Sequence, residues 1–332
     1  MRTIYIVLLI GAVSLGAVLW KISLFQQPFN ESEIPEWQVQ EIDAGTWKVF
    51  ALDEPHRQTT AWIEGNPDNA QCDTIVIMGG LEEGRNLAVG AEHIPERANI
   101  VALRHPINQF FETHPWKQWT WWEWLSLPMV LKNEMAHTVG ALRATADYVN
   151  GGQRNDSRFT DKVILAGGSF GSPFPVILAS FQPEQTAALM VIYGFTNYQF
   201  VITSELTRQG LIHFNLEPTY QLFSNPLHGM KVIGVKVLAR ILGFLLGNMF
   251  KYGYMELYFP QIAQTPIYFI NGKEDHLVPK KAYQPMWESA PEPKYQVWAK
   301  GDHIRPGEPE EVRRLVNHMR DWGRSQNLWM CR

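Results

Sequence analysis

Short apolar runs rich in valine, isoleucine and leucine recur along this chain with helical stretches between them, and that alternation constrains the fold more than any other feature. The runs cover residues 47–52, 60–64, 74–78, 100–104, 162–166, 189–193, 266–271 and 295–299. Several are apolar at consecutive rather than alternate positions, the pattern of strands covered on both faces of a parallel sheet. Helical patterns fall between and after them, at 129–149, 174–180, 280–290 and 309–325. The last opens on Pro-Glu-Glu and carries Val312, Leu315, Val316, Met319 and Trp322 at helical spacing. Strands separated by helices require right-handed crossovers, so the sequence predicts an α/β fold with a doubly wound, mostly parallel sheet.

Two segments depart from this rhythm. Between residues 193 and 266 the connection is far longer than an ordinary loop. Its apolar stretch, residues 229–248, carries Lys231, Lys236 and Arg240, which argue against a spanning helix. Residues 195–265 read as a helical lid over the top of the sheet, with a surface dipping into a membrane as the alternative. At the other end, residues 3–20 hold no charge and lie between Arg2 and Lys21. That run is long enough to cross a bilayer as a helix. A cleaved signal peptide competes, given Arg2 and the small residues around Ser14 and Ala17, but no clean small-x-small site precedes the polar sequence. Trp20 suits an interfacial anchor and Lys21 can snorkel. The expected organisation is an anchor over 1–25, a polar linker over 26–44, and a core built from 45–194 and 266–328 around the insertion. An extracytoplasmic core, membrane-anchored or secreted if the segment is cleaved, is the expected location.

Composition narrows the function classes. The chain has 332 residues, 45% of them hydrophobic and 19% charged, enough for one large core. A net charge of -4 with scattered lysines and arginines offers no basic stripe, which disfavours nucleic acid. Only Cys72 and Cys331 are present; they read as two free thiols, with a single bridge as the alternative. Asn30-Glu31-Ser32 and Asn155-Asp156-Ser157 match a glycosylation acceptor, a pattern short enough to arise by chance. No HExxH, paired-cysteine or Walker-type sequence occurs, which leaves metalloprotease and nucleotide-hydrolase readings little support, and the serine chemistry that residues 163–180 suggest requires no metal or organic cofactor.

The stretch VILAGGSFGSPFPVILAS, residues 163–180, carries the chemistry. Gly167-Gly168-Ser169-Phe170-Gly171 satisfies G-x-S-x-G, a weak signal without its context. That context is a strand, a sharp turn holding the serine, and a helix whose N-terminus faces the reacting atom. Residues 162–166 supply the strand, and Pro173 and Pro175 fall in a first helical turn, where missing N–H groups cost little. A serine hydroxyl also needs a histidine base and a carboxylate to orient it, in the order serine, acid, histidine. TPIYFINGKEDHLVPKK offers Asp275 after its strand, favoured over Glu274, which reads as solvent-facing. KYQVWAKGDHIRPGEP offers His303, favoured over His276, which is too close in sequence to the acid. The N–H of Phe170 is free to serve an oxyanion. A second donor is expected just after the strand at 74–78, from Gly80 or Leu81, with Leu81 narrowly preferred.

Together GGSFG, GKEDHLVP and the terminal GDH resemble a serine hydrolase of the α/β-hydrolase fold, esterase- or lipase-like, over roughly residues 45–325. The resemblance implies Ser169, Asp275 and His303 as the triad, Phe170 and the Gly80–Leu81 region as oxyanion donors, and a cap where the long insertion lies. Met78 stands where many members have a histidine before the first oxyanion glycine. The implied activity is hydrolysis of an apolar carboxylic ester through an acyl-enzyme. A serine peptidase or thioesterase would use the same residues, and a catalytically silent binding protein is the alternative from another class. Five tryptophans, Trp116, Trp119, Trp121, Trp122 and Trp124, follow the fourth run. They read as aromatic packing against the insertion, an acyl-binding wall, or an interfacial contact. Each setting is apolar, which favours a lipophilic small-molecule substrate.

Overall fold

A computed structural model describes residues 27–43, 45–64, 72–80, 99–107, 112, 120–150, 159–216, 226–262, 264–303 and 309–328. The N-terminal run, Leu81, Trp116, Trp119, Asn155 and Cys331 lie outside these residues, as does the side chain of Cys72.

Among the described residues, nine strands form one sheet in the order β1-β2-β3-β5-β4-β6-β7-β8-β9. They are β1 Trp37–Asp43, β2 Thr46–Ala51, β3 Gln58–Glu64, β4 Cys72–Met78, β5 Asn99–Leu103, β6 Phe159–Gly168, β7 Thr186–Ile192, β8 Ile267–Gly272 and β9 Lys294–Ala299. From β5 to β9 the pairs are parallel, while β1, β2 and β3 join as an antiparallel meander whose last strand runs antiparallel to β5. Among the described residues the α-helices are α1 Trp121–Val149, α2 Pro173–Phe181, α3 Tyr198–His213, α4 Pro226–Met249, α5 Lys280–Ser289 and α6 Pro309–Ser325.

The consecutive apolar residues of the central strands divide between two cores, as the pleat demands. Val76, Met78, Val101, Leu103, Val163 and Leu165 face one way, against α1, α2 and α5. Ile75, Ile77, Ile100, Ala102, Ile164 and Ala166 face the other, against Leu315, Met319 and Trp322 of α6. Trp322 stacks on Tyr268 of β8 at 4.8 Å. Each such buried side chain contributes on the order of 2 kcal/mol, so both faces must be covered for the sheet to persist. The mixed, doubly wound α/β sheet is thus present.

Two boundaries differ from expectation. The polar stretch assigned to a linker contains β1, whose sequence WQVQEID buries only Trp37 and pairs on one side. An edge strand needs so little apolar surface that its sequence resembles a linker. Helix α1 starts at Trp121, ahead of residue 129, and takes Trp121, Trp122, Trp124 and Pro128 into its first turns. A proline there concealed the helix, because its ring opposes an interior turn.

One ion pair ties the meander to the helical layer. Arg57, in the β2–β3 connection, places Nη1 2.5 Å from Oε1 of Glu134, a buried residue of α1. Removing the cation strands a buried carboxylate. Arg57→Met is therefore expected to cost about 3 kcal/mol in urea unfolding, and Arg57→Met/Glu134→Met to recover most of it. Equal losses in the single and double variants would show that the charge pairing is immaterial.

Candidate active site

In an open α/β sheet the carboxyl ends of the parallel strands gather the loops in one place. Here that edge brings together Gly79 and Gly80 after β4, His105 after β5, Ser169 after β6, Tyr193 after β7, Asp275 after β8 and His303 after β9.

Ser169 opens a 3-10 turn, Ser169–Gly171, between β6 and α2. Its φ is +51°, a left-handed conformation that costs a non-glycine residue about 1–2 kcal/mol. The turn closes because its flanks lack side chains. A Cβ at Gly167 would stand 2.5 Å from the Gly171 carbonyl oxygen, and one at Gly171 would collide with the Gly79 carbonyl. Strand, helix and the loop after β4 therefore meet at backbone distance.

The Asp275 side chain is almost fully buried. Its Oδ1 accepts the N–H groups of Leu277 at 2.9 Å and Val278 at 2.7 Å. Those bonds leave Oδ2 facing Nδ1 of His303 at 2.8 Å. A carboxylate can only accept, so Nδ1 carries the hydrogen and Nε2 is left with a lone pair. That lone pair lies 2.9 Å from Ser169 Oγ. Sequence reasoning thus named three residues, separated by 106 and 28 positions in the chain, that the fold brings into one hydrogen-bonded line. Glu274 is exposed, and His276 is 83% exposed with its ring turned to Asp302.

Phe170 follows the serine, its ring 5.8 Å from His105. Gly80 lies beside Ser169, where a Cβ would stand 3.8 Å from the serine Cβ. Leu81, the narrowly preferred donor, falls outside the described residues.

Three neighbours escaped the sequence reading. Asp302 Oδ1 accepts the backbone N–H of His276 at 2.9 Å and of His303 at 2.7 Å, so one carboxylate clamps the loop after β8 to the loop after β9. Burial opposes its charge, but those N–H bonds and the His276 ring prevail and hold its carboxyl below the ordinary range. The middle residue of the GDH sequence was the available signal. Tyr193, itself at φ +50°, sets its ring edge-on to His303 at 5.4 Å. Burial, with nearby Glu311 and Asp275, pushes its hydroxyl up to about 12.

His105 is buried, with Nε2 2.8 Å from the Gly79 carbonyl oxygen and its ring 5.1 Å from that of Phe174. The carbonyl only accepts, so Nε2–H donates, and Nδ1 is buried with no acceptor for a second proton. Desolvation lowers its pKa to about 4, against the opposing effect of the Gly79 bond. The Gly79 carbonyl and the Gly80 N–H belong to one planar peptide, so His105 fixes the direction of both.

No family model matches the chain, and no curated protein matches it. Among solved structures it is similar to Est1E from Butyrivibrio proteoclasticus, at 15% identity over 83% of this chain and 98% of that one, with a TM-score of 0.45. A membrane phospholipase A described as a novel bacterial virulence factor shares 16% identity over 97% of this chain and 99% of its own, with a TM-score of 0.47. An esterase of Pyrococcus furiosus, Pf2001, shares 13% identity over 89% and 94%, with a TM-score of 0.49.

The state of His105 makes a pH prediction. Unfolded, this histidine takes up its proton near 6.5; in the native protein it does so only near 4. The unfolded chain binds more protons at this position in that window, so the contribution of His105 to stability falls as pH drops from 6.5 to 4 and is constant above it. The depression corresponds to about 3 kcal/mol. His105→Gln, which retains a donor for Gly79, is expected to lose less stability than the wild type between pH 7 and 4 in urea unfolding. Parallel losses in the two proteins would contradict a neutral buried His105.

Proposed function

We propose that the chain is a serine hydrolase of the α/β-hydrolase fold that cleaves an uncharged, apolar carboxylic ester through an acyl-enzyme. The continuous line from Ser169 Oγ through the His303 ring to Asp275 is the observation that carries this reading. His303 Nε2 takes the hydroxyl proton as Ser169 attacks the acyl carbonyl, and Asp275 stabilises the imidazolium that forms. Backbone N–H groups of Phe170 and Gly80, with Leu81 as the neighbouring candidate, receive the oxyanion, aided by the N-terminus of α2. His303 returns the proton to the leaving alcohol, then activates water to release the acid. The left-handed Ser169 supports this role, because backbone strain of that kind persists where surrounding packing over-determines it. Asp302 and Tyr193 act as positioning residues, holding His303 at the distance from Ser169 that proton transfer requires.

The same proposal assigns 195–265 as a lid whose helices are α3 and α4, and 1–25 as a membrane anchor with the catalytic domain on the extracytoplasmic side. The apolar run ahead of Lys21 supports the anchor, and the seat of α3 beside the acid loop supports the lid. There Ser204 Oγ donates to the His276 carbonyl at 2.7 Å.

Turnover of p-nitrophenyl butyrate tests the reading. Ser169→Ala is expected to lose roughly a hundred-thousandfold or more in kcat, and Asp275→Asn roughly ten-thousandfold, each with unchanged thermal stability. Asp302→Ala is expected to lower kcat by about ten- to a hundredfold with little change in KM, since it loosens the base without touching substrate. Full activity in Ser169→Ala would refute the proposal.

A further inference from the structure

The exposed apolar side chains of the described residues are concentrated on α4. Leu227, Met230, Val237, Leu238, Ile241 and Phe244 are each about half exposed or more. At 100° per residue they share one face. The opposite face, with Gly229, Val232, Ala239, Gly243 and Gly247 buried, packs on α3, where Gly243 meets Thr203 and Gly247 meets Gln199. The two helices thus pair as an antiparallel hairpin with one apolar face outward. An apolar patch of this extent is costly in water and marks an interaction surface.

Two further observations identify what covers it. Lys231 and Arg240 are exposed on the two flanks of the apolar face, and no aspartate or glutamate occurs anywhere in α4. A face bordered by cations alone, with stems long enough to snorkel, complements anionic headgroups over a hydrocarbon interior; self-association would set like charges together. The path of the chain agrees. Phe29 stacks edge-on against Tyr252 at 5.5 Å and donates its N–H to Tyr258 Oη at 2.9 Å, immediately beyond the C-terminal end of α4. Trp20, which ends the uncharged run, is nine residues from Phe29, a reach of at most about 30 Å. Phe29 therefore tethers the preceding chain within that reach of one end of α4.

We propose that α4 lies in the plane of an anionic lipid surface, with Met230, Val237, Leu238 and Ile241 immersed and Lys231 and Arg240 at headgroup level. Lys231, Lys236 and Arg240 disfavour a spanning orientation, whereas in-plane burial accommodates the flanking cations. Because α3 leans on the acid loop through Ser204, lipid contact at α4 reaches the mouth of the catalytic edge directly. That consequence for catalysis rests on the serine hydrolase reading; the lipid contact does not.

Spin-label accessibility tests the contact on the full-length chain. Nitroxides at Ile241→Cys, and at Ile42→Cys on the edge strand as a control, are introduced with Cys72 and Cys331 replaced by serine. The probe is a vesicle of phosphatidylglycerol and phosphatidylcholine. The label at 241 is expected to gain oxygen accessibility and lose accessibility to a water-soluble nickel complex, while the label at 42 stays aqueous. Three results would overturn the proposal: no association with the vesicles, an aqueous label at 241 on vesicle-bound protein, or dipolar coupling between labels at 241 of two chains. A second arm uses Val237→Asp/Ile241→Asp, expected to lower turnover of a long-chain ester presented in those vesicles by about tenfold or more and to leave soluble p-nitrophenyl butyrate turnover unchanged. Equal vesicle turnover in wild type and variant would overturn the link to catalysis. Absence of soluble turnover in the wild type would refute the hydrolase reading and leave the spin-label result standing.

Discussion

The site depends on a tight approach of three backbones at Ser169. Strand β6 must end, α2 must begin, and the loop after β4 must pass beside both, with no side chain between them. Gly167 and Gly171 permit that approach, and the approach in turn forces the serine into a left-handed conformation. The strain is small beside the burial on both sheet faces that enforces it, so the hydroxyl is carried at a fixed point rather than on a mobile loop. The other groups reach that point because each follows a neighbouring parallel strand, and register along β6, β7, β8 and β9 sets their heights.

Orientation is enforced by a second set of contacts, made largely to the backbone. Asp275 spends one oxygen on its own loop and aims the other at His303, while Asp302 binds the two loops through a shared oxygen. His105 does the same for the β4 loop through the Gly79 carbonyl. All three carboxylate or imidazole groups act on backbone partners, which couples the positions of the loops to one another more firmly than packing alone.

Much of this was legible in the chain because the relevant signals are local. A strand covered on both faces reads as an unbroken apolar run, as β5, β7 and β8 do; α6 was readable to its boundaries because its buried face repeats at helical spacing. GGSFG, GKEDHLVP and GDH each follow a strand, and chain order related them. What stayed hidden depends on distant partners. Strand β1 buries little, and only its neighbour β2 makes it a strand. Nothing in the sequence around His105 indicates that the Gly79 carbonyl awaits it, and Asp302 shows its role only once β8 and β9 lie side by side. The outward face of α4 was visible as an apolar stretch, yet which side packs on α3 is a property of the hairpin.

The proposed chemistry requires a serine made nucleophilic by His303 and Asp275. Reaction of the intact protein with a fluorophosphonate, followed by peptide mass spectrometry, interrogates that claim at the atom concerned. The account predicts a single adduct on Ser169, formed on the native protein and suppressed by urea. Modification of another residue, or a folded protein that remains unmodified, would contradict it.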